Sequence, residues 1–356
     1  MRSLDISGHT ISDASEAYVI AEIGHNHGGS VAQAEALFQA AAAAGASAVK
    51  LQKRDNRALF TQTMYDEPYT SIHSYGPTYG EHREALEFGR PEYLHLQQVA
   101  RDLGIDFFAT AFDIPSVDFL AELGLPAIKI ASADLTNTPL LSHAAKTGLP
   151  LILSTGGGSM AEVRQACDAI LPLNPLLALL QCTAAYPAVP EDLNLRVITT
   201  FREEFPEVVV GFSGHDLGPE LSWIAYSLGA RVIEKHFTLD QQAKGSDHHF
   251  SLTQAQLTAL TDGLSRTRAA MGSAEKITGT REAAAIRKMG KKLVAAHELP
   301  AGHVLTAEDL TCKSPGDGVK PYRLGELVGS RLTRALATDA DIRIEDLVPP
   351  GDVTAA

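Results

Sequence analysis

The chain has 356 residues, with 30 basic and 43 acidic side chains and a formal net charge of −13 when histidines are neutral. That length holds one large domain of roughly 250 to 280 residues plus a small one, and the acidic balance argues against nonspecific nucleic-acid or anionic-membrane binding as the main activity. The three cysteines, Cys167, Cys182 and Cys312, are far apart and lack CxxC spacing, which argues against a disulfide framework or a structural zinc site.

Residues 1–12 alternate polar and apolar side chains without a charged start and apolar core, and no long uninterrupted apolar run occurs anywhere. We therefore expect no export signal, no membrane span and a cytoplasmic location. Residues 18–23 read as a buried strand, and the Ala-rich run 30–44 reads as a helix with Ser30 as its N-cap. Gly45 stops that helix. Residues 46–52 form the second strand, which ends with Lys50 and Gln52 on one face. Residues 53–91 are a long insertion rich in tyrosine, with the polar run 79–84 and little periodicity; loops of that length are functional or disordered.

From Glu92 the alternation becomes regular, with helices expected at 92–103, 115–123, 139–147, 159–171, 193–204, 219–228 and 254–271. Strands are expected at 105–109, 127–131, 149–154, 176–182, 208–212 and 230–234. Gly104, Gly124 and Gly148 punctuate helix and strand as C-terminal caps. Strict alternation of short apolar strands with helices predicts an α/β fold, a closed parallel (β/α)8 TIM barrel over 1–271. No GxGxxG follows a strand, so a dinucleotide site is not expected. Residues 272–287 read as a polar linker, 288–350 as a small, mostly β domain, and the tail from 349 as frayed.

In a parallel barrel the site lies at the C-terminal strand ends. Those ends carry Glu22, Lys50 and Gln52, Thr110, Lys129 and Ser132, Ser154, Tyr186, Ser213 and His215, and Glu234 and His236. Two lysines, several hydroxyls and the run Gly156-Gly157-Gly158 suit a small phosphorylated anion. Glu234 and His236 share a face, and His215 and His236 close two neighbouring strands, so these histidines could hold one divalent metal. His25 and His27 read as solvated loop residues whose HxH spacing also admits a metal role. His248 and His249 read as loop histidines. Asp247 could bind substrate hydroxyls or simply form a turn.

These motifs resemble the sialic acid synthase family, the phosphoenolpyruvate (PEP)-dependent nonulosonic acid synthases with a (β/α)8 barrel and a C-terminal antifreeze-like (SAF) domain. The resemblance is carried by AEIGHNHGG from Ala21, KLQK from Lys50, TYGEHREALEF from Thr78, KIAS from Lys129, LSTGG from Leu153, QCTAAYP from Gln181, GFSGHD from Gly211, EKHFT from Glu234, KGSDH from Lys244 and SPGDG from Ser314. It implies Mn²⁺ on His215 and His236, the PEP carboxylate on Lys50 and Thr110, and the PEP phosphate on Lys129, Ser132, Ser154 and Ser213. The amino sugar would meet Gln52, Tyr186 and Asp247, with Glu22 and Glu234 as the catalytic acids. It also implies a domain-swapped homodimer. Departures from the family pattern are Asp134, which shortens a sugar contact made elsewhere by Glu, Ala184 in place of Asn, and Ser314 in place of Arg.

The insertion and the KGSDH segment resemble the branch that makes sialic acid 9-phosphate from a hexosamine 6-phosphate. Lys53, Arg54, Arg57, His82, Arg83 and Arg90 could then meet the sugar phosphate, although the same stretch holds acids that could pair with them. Rival readings are a PEP-dependent synthase or aldolase acting on another aldehyde, and a noncatalytic sugar- or ice-binding module.

Overall fold

The computed structural model describes residues 2–350; the expected frayed tail lies, beyond 350, outside the described residues. The chain forms two compact units, Met1–Gly272 and Ser273–Ala356. No helix among the described residues is long and apolar enough to cross a membrane.

The first unit opens with a hairpin, β1 (Ser3–Ile6) and β2 (His9–Ser12), paired antiparallel. Its two turn residues, Ser7 at φ 51° and Gly8 at φ 85°, both have the positive φ that tight hairpins need. The alternation in residues 1–12, read above only as the absence of a leader, thus has a structural role. Leu4, Ile6 and Ile11 are buried in one cluster with Tyr18, Ile20, Ala48, Phe108, Ile152, Val209 and Val232, and so plug the barrel interior at the N-terminal strand ends.

Eight parallel strands close the barrel: β3 (Tyr18–Gly24), β4 (Ala48–Lys53), β5 (Asp106–Ala111), β6 (Ile128–Ile130), β7 (Leu151–Ser154), β8 (Leu177–Cys182), β9 (Val209–Gly214) and β10 (Val232–His236), with β10 pairing back onto β3. Around them run α1 (Val31–Ala43), then α2 (Asn56–Leu59), α3 (Gln62–Tyr65) and α4 (Tyr79–Glu84) of the insertion. Next come α5 (Arg90–Leu103), α6 (Ile114–Glu122), α7 (Thr138–Lys146), α8 (Met160–Ile170), α9 (Val197–Glu204), α10 (Glu220–Ser227) and α11 (Gln254–Met271). The main core lies between strands and helices, from Val19 and Phe38 round to Leu264.

Three boundaries differ instructively from expectation. Helix α9 starts four residues late, because Pro190–Asp192 forms a 3₁₀ turn and Asn194 sits at φ 46°, which no helix accepts. Strand β10 runs to His236 rather than stopping at Glu234, so His236 is in register with Glu22 of β3. The insertion contains three short helices, two of them capped by Asp55 and Thr61 and the third by a Thr78–Glu81 capping box.

The second unit begins with residues expected to be plain linker, but α12 (Ala283–Met289) occupies the end of that segment. Beyond it, β11 (Lys292–Ala295) pairs with β12 (Leu310–Lys313). After α13 (Leu324–Leu327), β13 (Arg331–Leu332) pairs with β14 (Leu347–Val348). Leu293, Leu299, Leu305, Leu310, Leu332, Leu336 and Ile342 form its small core.

Candidate active site

At the C-terminal strand ends lies a cavity of about 650 Å³. Strand pairing sets its floor: Glu22 is level with Lys50, Gln52 with Thr110, Thr110 with Lys129, and Ser213 with Glu234. Two lysine–carboxylate pairs result. Lys50 Nζ lies 2.5 Å from Glu22 Oε2 and donates to Thr110 Oγ1 at 2.6 Å, while Gln52 donates to Glu22 Oε1 at 2.8 Å. Lys129 Nζ lies 3.7 Å from Glu234 Oε1, which also accepts from Ser213 Oγ at 3.1 Å.

All four charged groups are buried, yet the two acids are biased oppositely. Burial, reinforced by the charge of Glu234, raises the Glu22 carboxyl above its ordinary range despite Lys50. Glu234 is buried too, but Lys129 and Lys50 outweigh that and hold it below its ordinary range. Environments that push two acids apart in this way separate an acid from an ionised partner.

His215 and His236 face each other with ring centroids 5.4 Å apart. His215 Nδ1 donates to the Thr183 carbonyl at 2.8 Å, which fixes the tautomer and leaves Nε2 with its lone pair. His236 Nδ1 has no hydrogen-bond partner and lies 3.7 Å from Asp247 Oδ2. Burial pushes both imidazoles down to about 4, so both are neutral at physiological pH, as ligands must be. Phe250 packs edge-on against His236 at 4.9 Å, and Tyr186 lies 4.1 Å from His215.

Behind them, on the opposite face of β10, Lys235 Nζ donates to Asp216 O at 2.6 Å and to Asp216 Oδ1 at 2.9 Å. That buried clamp ties the residue after His215 to the residue before His236, and the sequence reading missed it. Alternation along the strand was the available signal, because Lys235 had to point away from its two site neighbours.

Glu22, Lys50, Gln52, Thr110, Lys129, Ser132, Ser154, Tyr186, Ser213, His215, Glu234, His236 and Asp247 all line this one cavity. Asp134 does not. Its Oδ1 accepts from Asn137 Nδ2 at 3.0 Å, which braces the turn before α7. Of the glycine run only Gly156 lines the cavity; Gly157 and Gly158 border a neighbouring pocket. Ser314 belongs to the second unit.

His25 and His27 are not solvated as expected. His27 is buried and stacked on Phe88 at 4.2 Å, and His25 lines the cavity between two arginines. His248 is buried and bonded to Thr238 Oγ1 at 2.7 Å, whereas His249 is exposed. Arg54, His73 and Tyr75 also line the cavity and were not singled out as members of a barrel-mouth site by strand position, because the insertion carries them. Among the described residues no group of three or more His, Cys, Asp and Glu is placed to hold a metal. The two imidazoles, with Nε2 of His215 and Nδ1 of His236 unengaged, are the donor set that fits one.

Residues 37–276 match the model of the NeuB family, and residues 292–348 match that of the SAF domain. The chain belongs to the NeuB family. It is 40% identical over 342 residues to N-acetylneuraminate-9-phosphate synthase of Homo sapiens, covering 96% of this chain and 95% of that protein. It is 36% identical to N,N'-diacetyllegionaminic acid synthase of Legionella pneumophila, covering 93% and 94%. The solved N-acetylneuraminic acid synthetase of Leptospira borgpetersenii superposes with a TM-score of 0.71 at 31% identity, over 80% of this chain and 95% of that one. As a member of this family the chain is an enzyme of the sialic acid synthase type, a barrel followed by a SAF domain.

Proposed function

We propose that the cavity condenses PEP with the open-chain aldehyde of an N-acetylmannosamine-like sugar, giving a nine-carbon 2-keto-3-deoxy acid and inorganic phosphate. The observation that carries this reading is the pair of buried lysine–carboxylate couples of opposite bias, beside a buried Ser154 hydroxyl without a hydrogen-bond partner. Lys50 and Thr110 hold the PEP carboxylate, and Lys129, Ser132, Ser154 and Ser213 hold its phosphate. Gln52, Tyr186 and Asp247 meet the sugar.

In the reaction C3 of PEP bonds to the aldehyde carbon, and C2 becomes oxocarbenium-like. Ionised Glu234 stabilises that cation, and Glu22, biased toward its protonated form, handles the protons as water adds at C2. Collapse of the resulting tetrahedral centre breaks the C2–O bond and releases phosphate. A divalent ion, Mn²⁺ by the family resemblance, would be held by His215 and His236 and would supply Lewis-acid polarisation of the aldehyde oxygen. A homodimer and a cytoplasmic location are part of the same proposal; sedimentation of the purified chain tests the first and cell fractionation the second.

The deciding experiment is phosphate release from PEP across a panel of hexosamine and dideoxyhexosamine aldehydes, using PEP labelled in its bridging oxygen. The label should leave with phosphate. Label retained in the keto acid would mean attack at phosphorus, and release without any added aldehyde would sink the condensation. The legionaminic acid synthase relative makes a diacetamido sugar the second reading, and the same panel tests it.

A further inference from the structure

We propose that Asn26 and Ser251 are positioning residues, forming one hydrogen-bonded chain from the loop after β3 to Asp247 that holds the Asp247 carboxylate over the cavity beside His236. The proposal rests on the condensation reading, in which Asp247 meets the sugar, and adds two residues that act through it.

Asn26 is the middle residue of the run His25-Asn26-His27 and is only 4% exposed. Its Nδ2 donates to the Phe237 carbonyl at 2.9 Å and to Ser251 Oγ at 3.0 Å. A backbone carbonyl can only accept, so the nitrogen end of the amide faces β10 and its loop, and both amide protons are used there. Ser251 is fully buried, and its hydroxyl donates to the Asp247 carbonyl at 2.6 Å. One hydroxyl therefore accepts from Asn26 and donates to Asp247, so each bond fixes the direction of the other.

The Asn26 end of this chain is firmly built. The Asn26 N–H donates to the Ile23 carbonyl at 2.8 Å, that of Gly28 to the His25 carbonyl at 2.9 Å and that of Ser30 to the His27 carbonyl at 2.9 Å, a series of tight turns with His27 stacked on Phe88 at 4.2 Å. Gly24, at φ 54°, starts the series, and a Cβ there would lie 3.2 Å from both Gln52 Nε2 and Glu22 Oε1. The loop is thus set directly against the cavity floor.

The Asp247 end depends on what reaches it. The loop after β10 is closed at its base, where the Leu252 N–H donates to the His236 carbonyl at 2.7 Å and the Thr238 N–H to the Leu252 carbonyl at 2.9 Å. Beyond that base, Asp247 Oδ1 accepts from Ser246 Oγ at 2.7 Å, and Oδ2 lies 3.7 Å from His236 Nδ1. The Ser246 bond and the 2.7 Å bond between Thr238 and His248 lie within the loop itself. From the insertion side, the Tyr75 hydroxyl donates to the Lys244 carbonyl at 2.7 Å and His73 Nδ1 accepts from the Gly245 N–H at 3.2 Å, and both bonds stop short of Asp247. Asn26 reaches the loop from another strand, and it grips both the carbonyl that follows His236 and the hydroxyl that holds Asp247. Misplacing such a group by about 1 Å costs on the order of 100-fold in rate.

The test measures steady-state kinetics with PEP and Mn²⁺, and hydrogen exchange without substrates, in the full-length enzyme and in Asn26→Leu, Ser251→Ala and the double variant. The aldehyde is the one in the panel that the wild-type enzyme uses fastest. Asn26→Leu keeps the shape of the side chain and removes its donors; it should lower kcat/KM for the aldehyde by about 10- to 100-fold while the KM for PEP moves less than about threefold. Ser251→Ala should show the same selective loss, and the double variant should lose less than about threefold beyond Asn26→Leu, because both substitutions break one chain. Exchange should rise about tenfold in residues 239–251 and stay unchanged in the barrel strands. If Asn26→Leu does not fold, Ser251→Ala alone carries the kinetic and exchange readouts.

Unchanged kinetics in both single variants, equal losses for PEP and aldehyde, losses that multiply in the double variant, or faster exchange throughout the barrel strands would each overturn the proposal. If the wild-type enzyme releases phosphate with no aldehyde of the panel, the condensation reading fails and hydrogen exchange decides the positioning. Faster exchange confined to residues 239–251 then supports it, and unchanged exchange there overturns it.

Discussion

Replacing Lys235 by methionine keeps the length of the side chain and removes its charge, and the Asp216 carboxylate shows what should follow. Lys235 and Asp216 are 1% and 2% exposed, and Asp216 Oδ2 has no hydrogen-bond partner even in the intact protein. Without Lys235 the carboxylate loses the contact at 2.9 Å as well, and the Asp216 carbonyl loses the one at 2.6 Å. Breaking a buried pair by removing one partner costs about 3 to 5 kcal/mol, whereas neutralising both partners is far less damaging. We therefore expect Lys235→Met to lose about 3 kcal/mol, and Lys235→Met with Asp216→Asn to recover most of it. Urea unfolding followed by the fluorescence of Trp223, the single tryptophan, reads the barrel unit directly, since that residue sits on α10. If His215 and His236 hold Mn²⁺, the loosened clamp should also weaken Mn²⁺ binding about 10- to 100-fold, the usual cost of losing a residue that orients ligands. A Lys235→Met protein within about 1 kcal/mol of wild type would refute the argument that this pair holds the two strand ends in place.

Glu22→Gln should lower kcat by about 10²- to 10⁴-fold, with a smaller change in the KM for PEP, because Lys50 keeps its bond to Thr110; steady-state kinetics showing kcat within threefold of wild type would remove Glu22 from proton handling. Chelation should abolish turnover and Mn²⁺ should restore it, while the doubly substituted His215→Ala, His236→Ala protein should neither bind Mn²⁺ in calorimetry nor turn over; full activity of that variant would dispose of the metal site. In the second unit, burial alone would raise the Asp309 carboxyl, but hydrogen bonds from His303 and Thr306 outweigh it and bring it to about 2 from an ordinary 3.8. A depressed carboxyl stabilises the fold fully above pH 3.8 and loses that contribution as pH falls through 2. Discounted for solvent screening, Asp309→Asn should therefore cost about 1 kcal/mol at neutral pH, a cost that fades as pH falls through about 2; amide exchange in β11 and β12 that is unaltered at pH 6 would contradict this.

The barrel was legible because its strands are short apolar runs separated by helices of regular period, a local signal that survives without knowledge of the partners. What local period does not carry was lost. The β1–β2 hairpin has the alternation of a strand pair, but nothing in twelve residues says that the apolar face of Leu4, Ile6 and Ile11 plugs a barrel end. The late start of α9 depends on a backbone conformation at Asn194 that residue type only permits. His27 and His248 looked like loop residues because they flank glycine and charged residues. Burial comes from Phe88 and Thr238, which no sequence spacing links to them.

The same division runs through the site. Every residue on the cavity floor could be read from strand position, since the end of a barrel strand faces the mouth whatever surrounds it. Asp134 fails that rule because it lies past the end of β6 in a 3₁₀ turn, where direction is set by the bond to Asn137 rather than by strand period. The outer wall obeys no such rule. Arg54 and Arg83 look alike in sequence, both basic and both in a loop rich in acids, and only packing assigns Glu87 and Gln52 to the first and leaves the second with a phenol and an imidazole. Floor and wall are therefore separable in what they can decide. The floor's lysine–carboxylate couples come from strands that define the barrel itself and, under the proposed condensation, would serve any aldehyde partner of PEP, whereas the wall comes from an insertion that can change without disturbing a single barrel strand. Substitutions in the wall should therefore move relative kcat/KM across an aldehyde panel, while those at Lys50, Lys129 or Glu22 should lower kcat for every aldehyde alike.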